Sequence, residues 1–421
     1  MTGDLPPIGV RSEAPTACSC RMRRFRGRLI VAVHYTQARW QDYSFFMRRG
    51  TLQFVYRSYV GVAIATLCIP SGIAQDVRAS AALKSADNYI ALQAAKGSFR
   101  GAVLVGVNGK IVLEKGYGFA NEEWAIPNSP NTEYRIFSMT KQFTGACILL
   151  LEERGLLKVQ DPVSRYVSDL PESWQAITLH QLLTHTSGIP NYPDMTPRAK
   201  EYDRLGATPR EMLDVAATKP LEFTPGTKLN YSNTGYILLG MVIEKVSRQT
   251  YADFLKKNIF DCLGMEHSGY DDQSRILKNR ASGYSVRDGQ AINADFGDMT
   301  VPFAAGGIYS TVEDIFRWNE ALMVPGQLLK AHSLEQMFAV YPETTAYGEQ
   351  NYGYGVVIAH RFGKLLYYHG GGWNGFGSVL QRYPVERVCI VVLENTDHAN
   401  PVDIGDHIAA ALFSQPVPAS K

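Results

Sequence analysis

The stretch RIFSMTKQFTGACILLLEERG, residues 135–155, decides how the rest of the chain is read. Ser138 stands three residues before Lys141, and it is the one serine in the chain with a lysine at that spacing. Phe143, Cys147, Leu150 and Leu151 follow at three- and four-residue intervals, the apolar stripe of a helix. Gly155 ends that helix just past Glu152, Glu153 and Arg154. In the first turn of such a helix Ser138 and Lys141 lie one above the other, with Cβ atoms roughly 5–6 Å apart. A structural reading makes Ser138 an N-cap and Lys141 a solvated neighbour. Other motifs must decide against it or for it.

The 421 residues are 45% hydrophobic and 19% charged, enough apolar material for one large domain or two moderate ones. The net charge of +2 hides an asymmetry. Residues 1–74 hold ten arginines, no lysine and three acidic residues, a net of +7, whereas the rest of the chain carries −5. The body therefore makes no electrostatic case for nucleic acid. In the leader, MRRGTLQFVYRSYVGVAIATLCIPSGIAQ runs from Met47 through arginines and an apolar stretch at 59–69 to Gly72-Ile73-Ala74. That order predicts a signal peptide over 47–74, cut after Ala74, and an exported protein in the periplasm or outside the cell. The apolar run is short for a membrane span, so no stable span is expected in the mature chain. Residues 1–46 read as an extension ahead of a true start at Met47, or as a disordered or targeting segment. Cys147, Cys262 and Cys389 are far apart in the body and predict buried thiols, not a disulfide framework or a zinc site.

Along the body, 80–96 reads as a helix, and FRGAVLVGVNGKIVLEKGYGFA as a hairpin turning at Asn108-Gly109. Helices and loops dominate from 138 to about 300, including 231–247 and 250–258, and a helix follows at 311–323. Strands return in YGYGVVIAH, KLLYYHG, FGSVLQRY and RVCIVVLEN, before a closing amphipathic helix at 402–413. This order predicts an α+β fold. One antiparallel sheet is built from both chain ends (about 75–137 and 300–421) and flanked by helices, with a mostly helical region (about 138–299) inserted. The cleft between the two regions is the natural pocket.

Two further sites give Ser138 a context. KLNYSNTGYILLGMVIEKV sets Tyr231 and Asn233 at the head of a helix, and Tyr231 is the one tyrosine with Asn at +2. YYHGGGWNGFGSVL sets His369 at a strand end before three glycines, which let another backbone approach closely. Each alone has a structural explanation, a cap or a loop. Together, Ser138-x-x-Lys141, Tyr231-x-Asn233 and His369-x-Gly371 resemble the serine β-lactamase and penicillin-binding protein family. The branch is that of class C β-lactamases, D-Ala-D-Ala carboxypeptidases, D-amino-acid peptidases and related esterases. LLTHTSGIP (182–190), FTPGTKLNYSNTGYILLG (223–240) and AAGGIYSTVEDIFRW (304–318) look like the same branch, and the resemblance spans roughly 80–415.

The resemblance implies a β-lactamase/transpeptidase-like fold and an acyl-enzyme on Ser138, with Lys141 or Tyr231 as the base. Asn233 would bind the substrate amide or orient Lys141. Backbone N–H groups of Ser138 and Gly372 would form an oxyanion hole, and His369 and Gly371 would line the substrate strand. No metal or organic cofactor is needed. The third motif departs from the Lys-Thr-Gly usual in β-lactamases, which puts efficient β-lactam turnover in doubt and points to D-alanyl peptides or similar amides. A carboxylesterase or weak class C-type β-lactamase of the same fold is the alternative. A non-enzymatic penicillin-binding module would require a broken Ser-Lys-Tyr set. His369, with an ordinary pKa near ~6.5, is expected to hold a substrate carboxylate only when protonated. His185 reads as structural.

Overall fold

The computed structural model describes residues 71–192, 197–288, 290–344, 350–397 and 400–416, together with five short strands before residue 68; before residue 80 and over 197–200 only the backbone is described. The chain divides into two units, Met1–Ser80 and Ala81–Lys421. In the first, Cys20–Phe25 pairs with Arg28–Val33, and Phe45–Arg48, Thr51–Phe54 and Thr66–Leu67 form a second antiparallel ladder. No element was expected there, although RLIVAV is rich in strand-favouring residues. Most of the apolar stretch predicted as a signal-peptide core lies outside the described residues.

The second unit is organised by a seven-stranded antiparallel sheet. Its strands are β1 (Gly101–Val107), β2 (Lys110–Tyr117), β3 (Asn351–Tyr352), β4 (Val357–Arg361), β5 (Lys364–Trp373), β6 (Phe376–Tyr383) and β7 (Val388–Glu394). The order across the sheet is β3-β4-β5-β6-β7-β1-β2. The first hairpin thus pairs with the last strand, Val392 opposite Val103, so the sheet is built from both chain ends. Asn108 and Gly109 both adopt positive φ, 53° and 74°, the turn that matches the twist of a two-residue hairpin.

Five helices matter for the site: α1 (Ser71–Ala95), α2 (Thr140–Glu153), α3 (Asn233–Ser247), α4 (Val312–Met323) and α5 (Pro401–Phe413). α1 begins nine residues before the expected 80, because nothing after Pro70 interrupts an alanine-rich run. The period-2 alternation of the strands splits the core into two layers. Val103, Val105, Ile390 and Val392 pack with Ile90 of α1 and Ile404 and Ile408 of α5. Leu104, Val391 and Leu393 face α2 and α4 on the other side. α2 is buried from Thr140 to Leu151 on every side, not along one stripe. A helix wrapped this way has no solvated face for Lys141. Cys147 and Cys389 are buried as expected, but Cys262 is exposed, since its short helical turn lies at the surface. Among the described residues no helix is long and apolar enough to cross a membrane.

Candidate active site

Ser138 does not lie in the α-helix itself. It sits in a 3₁₀ turn, Phe137–Met139, directly before α2. Phe137 enters that turn at φ 43°, a costly conformation for an aromatic residue. Its buried ring is held edge-on to Trp373 at 5.7 Å, so the sheet fixes the bend. Neither Ser138 nor any other side chain caps the turn or α2, which removes the N-cap reading. The Ser138 hydroxyl instead meets the Lys141 amine, Nζ to Oγ 3.2 Å.

α2 presents three residues to one backbone segment. Thr144 donates to Ala304 O (2.7 Å), Lys141 Nζ donates to Ala305 O (2.9 Å), and Thr140 Oγ1 accepts from Ile308 N–H (3.2 Å). Lys141 Nζ also donates to Asn233 Oδ1 at 2.7 Å. Burial pushes the amine well below the usual lysine range. The Tyr231 and Tyr236 rings, 4.7 and 5.4 Å from Nζ, favour the charged form. That effect is about 1–2 kcal/mol, less than the cost of burying an ammonium. A neutral amine has two N–H donors and one lone pair. In the neutral form the two carbonyl oxygens would take those donors and leave the lone pair to the Ser138 hydroxyl.

Asn233 is the first residue of α3. Its N–H, an orphan of the helix end, donates to Asn191 Oδ1 (2.9 Å), and the Ser232 N–H donates to His185 Nδ1 (3.1 Å). The His185 ring packs on Tyr231 (4.3 Å) and Tyr352 (4.6 Å). Burial pushes its pKa well below the usual histidine value, so it is a neutral wedge that positions the Tyr231 ring.

β5 supplies the third motif. β4 pairs with it only as far as Tyr368, so from His369 to Trp373 its ladder partner is β6. The strand leans on the Ser138 turn. A Cβ on Gly371 would stand 2.2 Å from Ile136 O and 2.7 Å from the Ser138 nitrogen. Ser378 of β6 locks the same contact by donating to Ile136 O at 2.7 Å. His369 is buried, with Nδ1 2.6 Å from Gly370 O and Nε2 2.8 Å from the Tyr352 hydroxyl. A carbonyl only accepts, so Nδ1 carries the proton and Nε2 accepts from Tyr352. Burial, with a smaller contribution from Lys141, pushes the His369 pKa down to about 3. The expectation of an imidazole that titrates near neutrality is therefore corrected: this histidine is neutral and engaged by protein groups.

Two cavities flank Ser138. The larger, about 450 Å³, is lined by Leu229, Tyr231, Tyr352, Tyr368, His369 and the three glycines among others. The smaller, about 180 Å³, lies between Phe137, Tyr192, Asp203, Asn233 and Trp373. Ser138, Lys141, Tyr231, Asn233, His369, Gly371 and Gly372 thus converge on one place. Asn191, Ala305 O, Ser378 and Tyr352 complete it. Among the described residues no group of three or more His, Cys, Asp or Glu gathers as a metal ion requires.

A sheet drawn from both ends around a helical insertion is the β-lactamase/transpeptidase-like fold. The chain belongs to the Beta-lactamase family, whose family model matches residues 86–415. It is 30% identical over 348 residues to penicillin-binding protein 4* of Bacillus subtilis (strain 168), covering 76% of this chain and 74% of that protein. Among solved structures it is similar to the octameric penicillin-binding protein homologue from Pyrococcus abyssi (TM-score 0.70, 29% identity, 79% of this chain and 78% of the other). It is also similar to a D-stereospecific amidohydrolase from Streptomyces sp. (TM-score 0.67, 26% identity, 78% and 98%).

Proposed function

We propose that the chain is an exported serine hydrolase that cleaves D-alanyl-type peptides or related amides and esters through an acyl-enzyme on Ser138. The observation that carries the reading is the buried Lys141 amine, whose two donors are taken by Asn233 Oδ1 and Ala305 O while its third contact is Ser138 Oγ. In the first step the Ser138 oxygen bonds to the substrate carbonyl carbon and its proton passes to the Lys141 lone pair, directly or through Tyr231. The bond to the leaving group then breaks, and that group departs with the proton. Water attacks the resulting ester by the reverse route, releasing the acid and restoring the Ser138 hydroxyl. The Ser138 and Gly372 N–H groups would stabilise the tetrahedral oxyanion, each worth about 3–4 kcal/mol. Gly371 lets β5 approach closely enough to form that pair.

The catalytic unit in this reading is residues 75–421, with 47–74 removed on export and 1–46 ahead of the true start. The similarity to an amidohydrolase acting on D-stereoisomers supports amide substrates. A fluorescent penicillin or fluorophosphonate should label the protein, and Ser138→Ala should abolish labelling while leaving the fold intact. Labelling that survives in folded Ser138→Ala would overturn the assignment.

A further inference from the structure

We propose that Glu343, His180 and Tyr354 form a positioning clamp that keeps Lys141 shielded from water. This inference rests on the Ser138 acyl-enzyme reading above. The three residues line neither of the cavities that flank the serine. Glu343 Oε1 is 2.7 Å from His180 Nε2, and His180 Nδ1 is 2.8 Å from the Tyr354 hydroxyl. A carboxylate only accepts, so Nε2 carries a proton, and in the neutral ring Nδ1 accepts from the Tyr354 hydroxyl. The clamp runs inward from the surface. Its side chains are 22% exposed at Glu343 and 11% at His180, and Tyr354 is buried.

Tyr354 is where the clamp meets the catalytic helix. It lies in the turn Gly353–Gly355 between β3 and β4, and backbone contacts wedge this turn against α2. A Cβ on Gly355 would stand 2.4 Å from Lys141 O, and one on Gly145 of α2 would stand 2.8 Å from Tyr354 O. On the outer side a Cβ on Gly353 would meet Met337 O at 2.3 Å, and the Tyr354 N–H donates to that oxygen at 3.0 Å. The Gly355 backbone also faces the Tyr236 hydroxyl, and the Tyr236 ring is 5.4 Å from Lys141 Nζ. At the other end, His180 belongs to the short helix Leu179–Leu183, which runs directly into His185, the wedge against Tyr231. The clamp thus ties the segment that sets Tyr231 to the turn that backs Lys141.

This arrangement has a signature in pH. Burial is what lowers the Lys141 pKa, so a change that admits water to the amine raises it. The titratable groups facing the amine are Tyr231, Tyr236, His185 and His369. Burial holds both histidines well below the usual histidine range and Tyr236 well above the usual tyrosine range. Tyr231 shares the proton route, so its titration belongs to the same apparent pKa. Around the clamp the charged groups are Glu343 and Glu152, and the Tyr341 ring stands edge-on to His180 at 4.7 Å. The rate rises with pH as the base loses its proton. An upward shift of one unit therefore costs tenfold below the acid limb and nothing above it. Damage to the fold would lower the rate at every pH.

The test is the second-order rate of fluorophosphonate labelling of Ser138 from pH 5 to 10, on the parent, Tyr354→Phe, Glu343→Gln and the double variant. Tyr354→Phe removes one hydroxyl and keeps a ring to stack on Tyr341, 5.3 Å away. Its acid limb should move up by about one pH unit, with ~10-fold slower labelling below the limb and parental labelling above it. Glu343→Gln should move the limb less in the same direction. The double variant should go no further than Tyr354→Phe, because both changes act along one path. An unshifted limb in either folded variant, equal losses at every pH, or shifts that add in the double variant overturn this inference and leave the acyl-enzyme reading standing. A parent protein that is not labelled on Ser138 overturns both. If Tyr354→Phe does not fold, Glu343→Gln, at the partly exposed end of the clamp, decides by the same profile.

Discussion

The three consecutive glycines of β5 offer a graded test of the proposed oxyanion strand. None has positive φ, so the backbone admits alanine at each position and only space distinguishes them. A Cβ at Gly371 would meet Ile136 O at 2.2 Å and the Ser138 nitrogen at 2.7 Å. At Gly370 the nearest atom is Ser378 O at 3.2 Å, and at Gly372 it is Phe376 O at 3.6 Å. Carbon–oxygen contacts settle near ~3.3–3.6 Å, so Gly371→Ala must push β5 and the Ser138 turn apart by roughly 1 Å. Both neighbours are backbone atoms, which cannot swing aside as a side chain can. A displacement of that size costs about 10²-fold in rate, and losing an oxyanion donor outright costs about 10²–10³-fold. Overpacking should also cost about 1–3 kcal/mol of stability. The assay is kcat/KM for D-alanine p-nitroanilide, with urea midpoints on the same preparations. The expected order of loss is Gly371→Ala first, Gly370→Ala second and Gly372→Ala least. A folded Gly371→Ala at the parent rate, or losses that are equal at all three positions, would refute the reasoning.

Because burial holds the His369 pKa near 3, the imidazole stays neutral from pH 5.5 to 9, and the ratio of kcat/KM for a carboxylate substrate to that for a neutral ester should be flat across that range. A transition in that ratio near pH 6–7, lost in His369→Gln, would return a titrating role to this residue. Glu394, at the end of β7, is fully buried, and neither carboxyl oxygen has a hydrogen-bond partner among the described residues, so burial raises its pKa well above the carboxylate range. With the folded pKa raised, the stability it confers is complete below pH ~4.5 and is lost as pH rises through the folded value, at up to about 1.4 kcal/mol per pH unit. Glu394→Gln should flatten the fall in urea midpoint between pH 5 and 8, and an unchanged slope would refute this.

What the sequence makes legible here is local. Residue spacing brings Ser138 to Lys141, Asn108-Gly109 turns a hairpin, and the strands expected in FGSVLQRY and RVCIVVLEN match β6 and β7 to within a residue. What it hides depends on packing between distant segments. Ala305 contributes a backbone carbonyl, for which no side chain gives a signal. The burial of Lys141 follows from α2 being enclosed on all sides, whereas an apolar stripe alone leaves room for a solvated face. His369 reads as a free imidazole until Tyr352, seventeen residues earlier, is seen to donate to it. Asp203 lies in no recognisable motif, on the helix Pro197–Leu205, yet the fold brings it to the wall of the smaller cavity beside Ser138.

The histidine of the third motif makes sense beside a neutral lysine. Lys141 lowers the pKa of both His185 and His369, so charges on these three groups oppose one another. A lysine at position 369 would place a second amine in the field of Lys141, and burial would press both toward neutrality. Imidazole avoids that conflict. Its one proton goes to Gly370 O, its lone pair takes the Tyr352 hydroxyl, and it fills the strand edge without adding charge. Burial alone presses the Lys141 amine toward its neutral form.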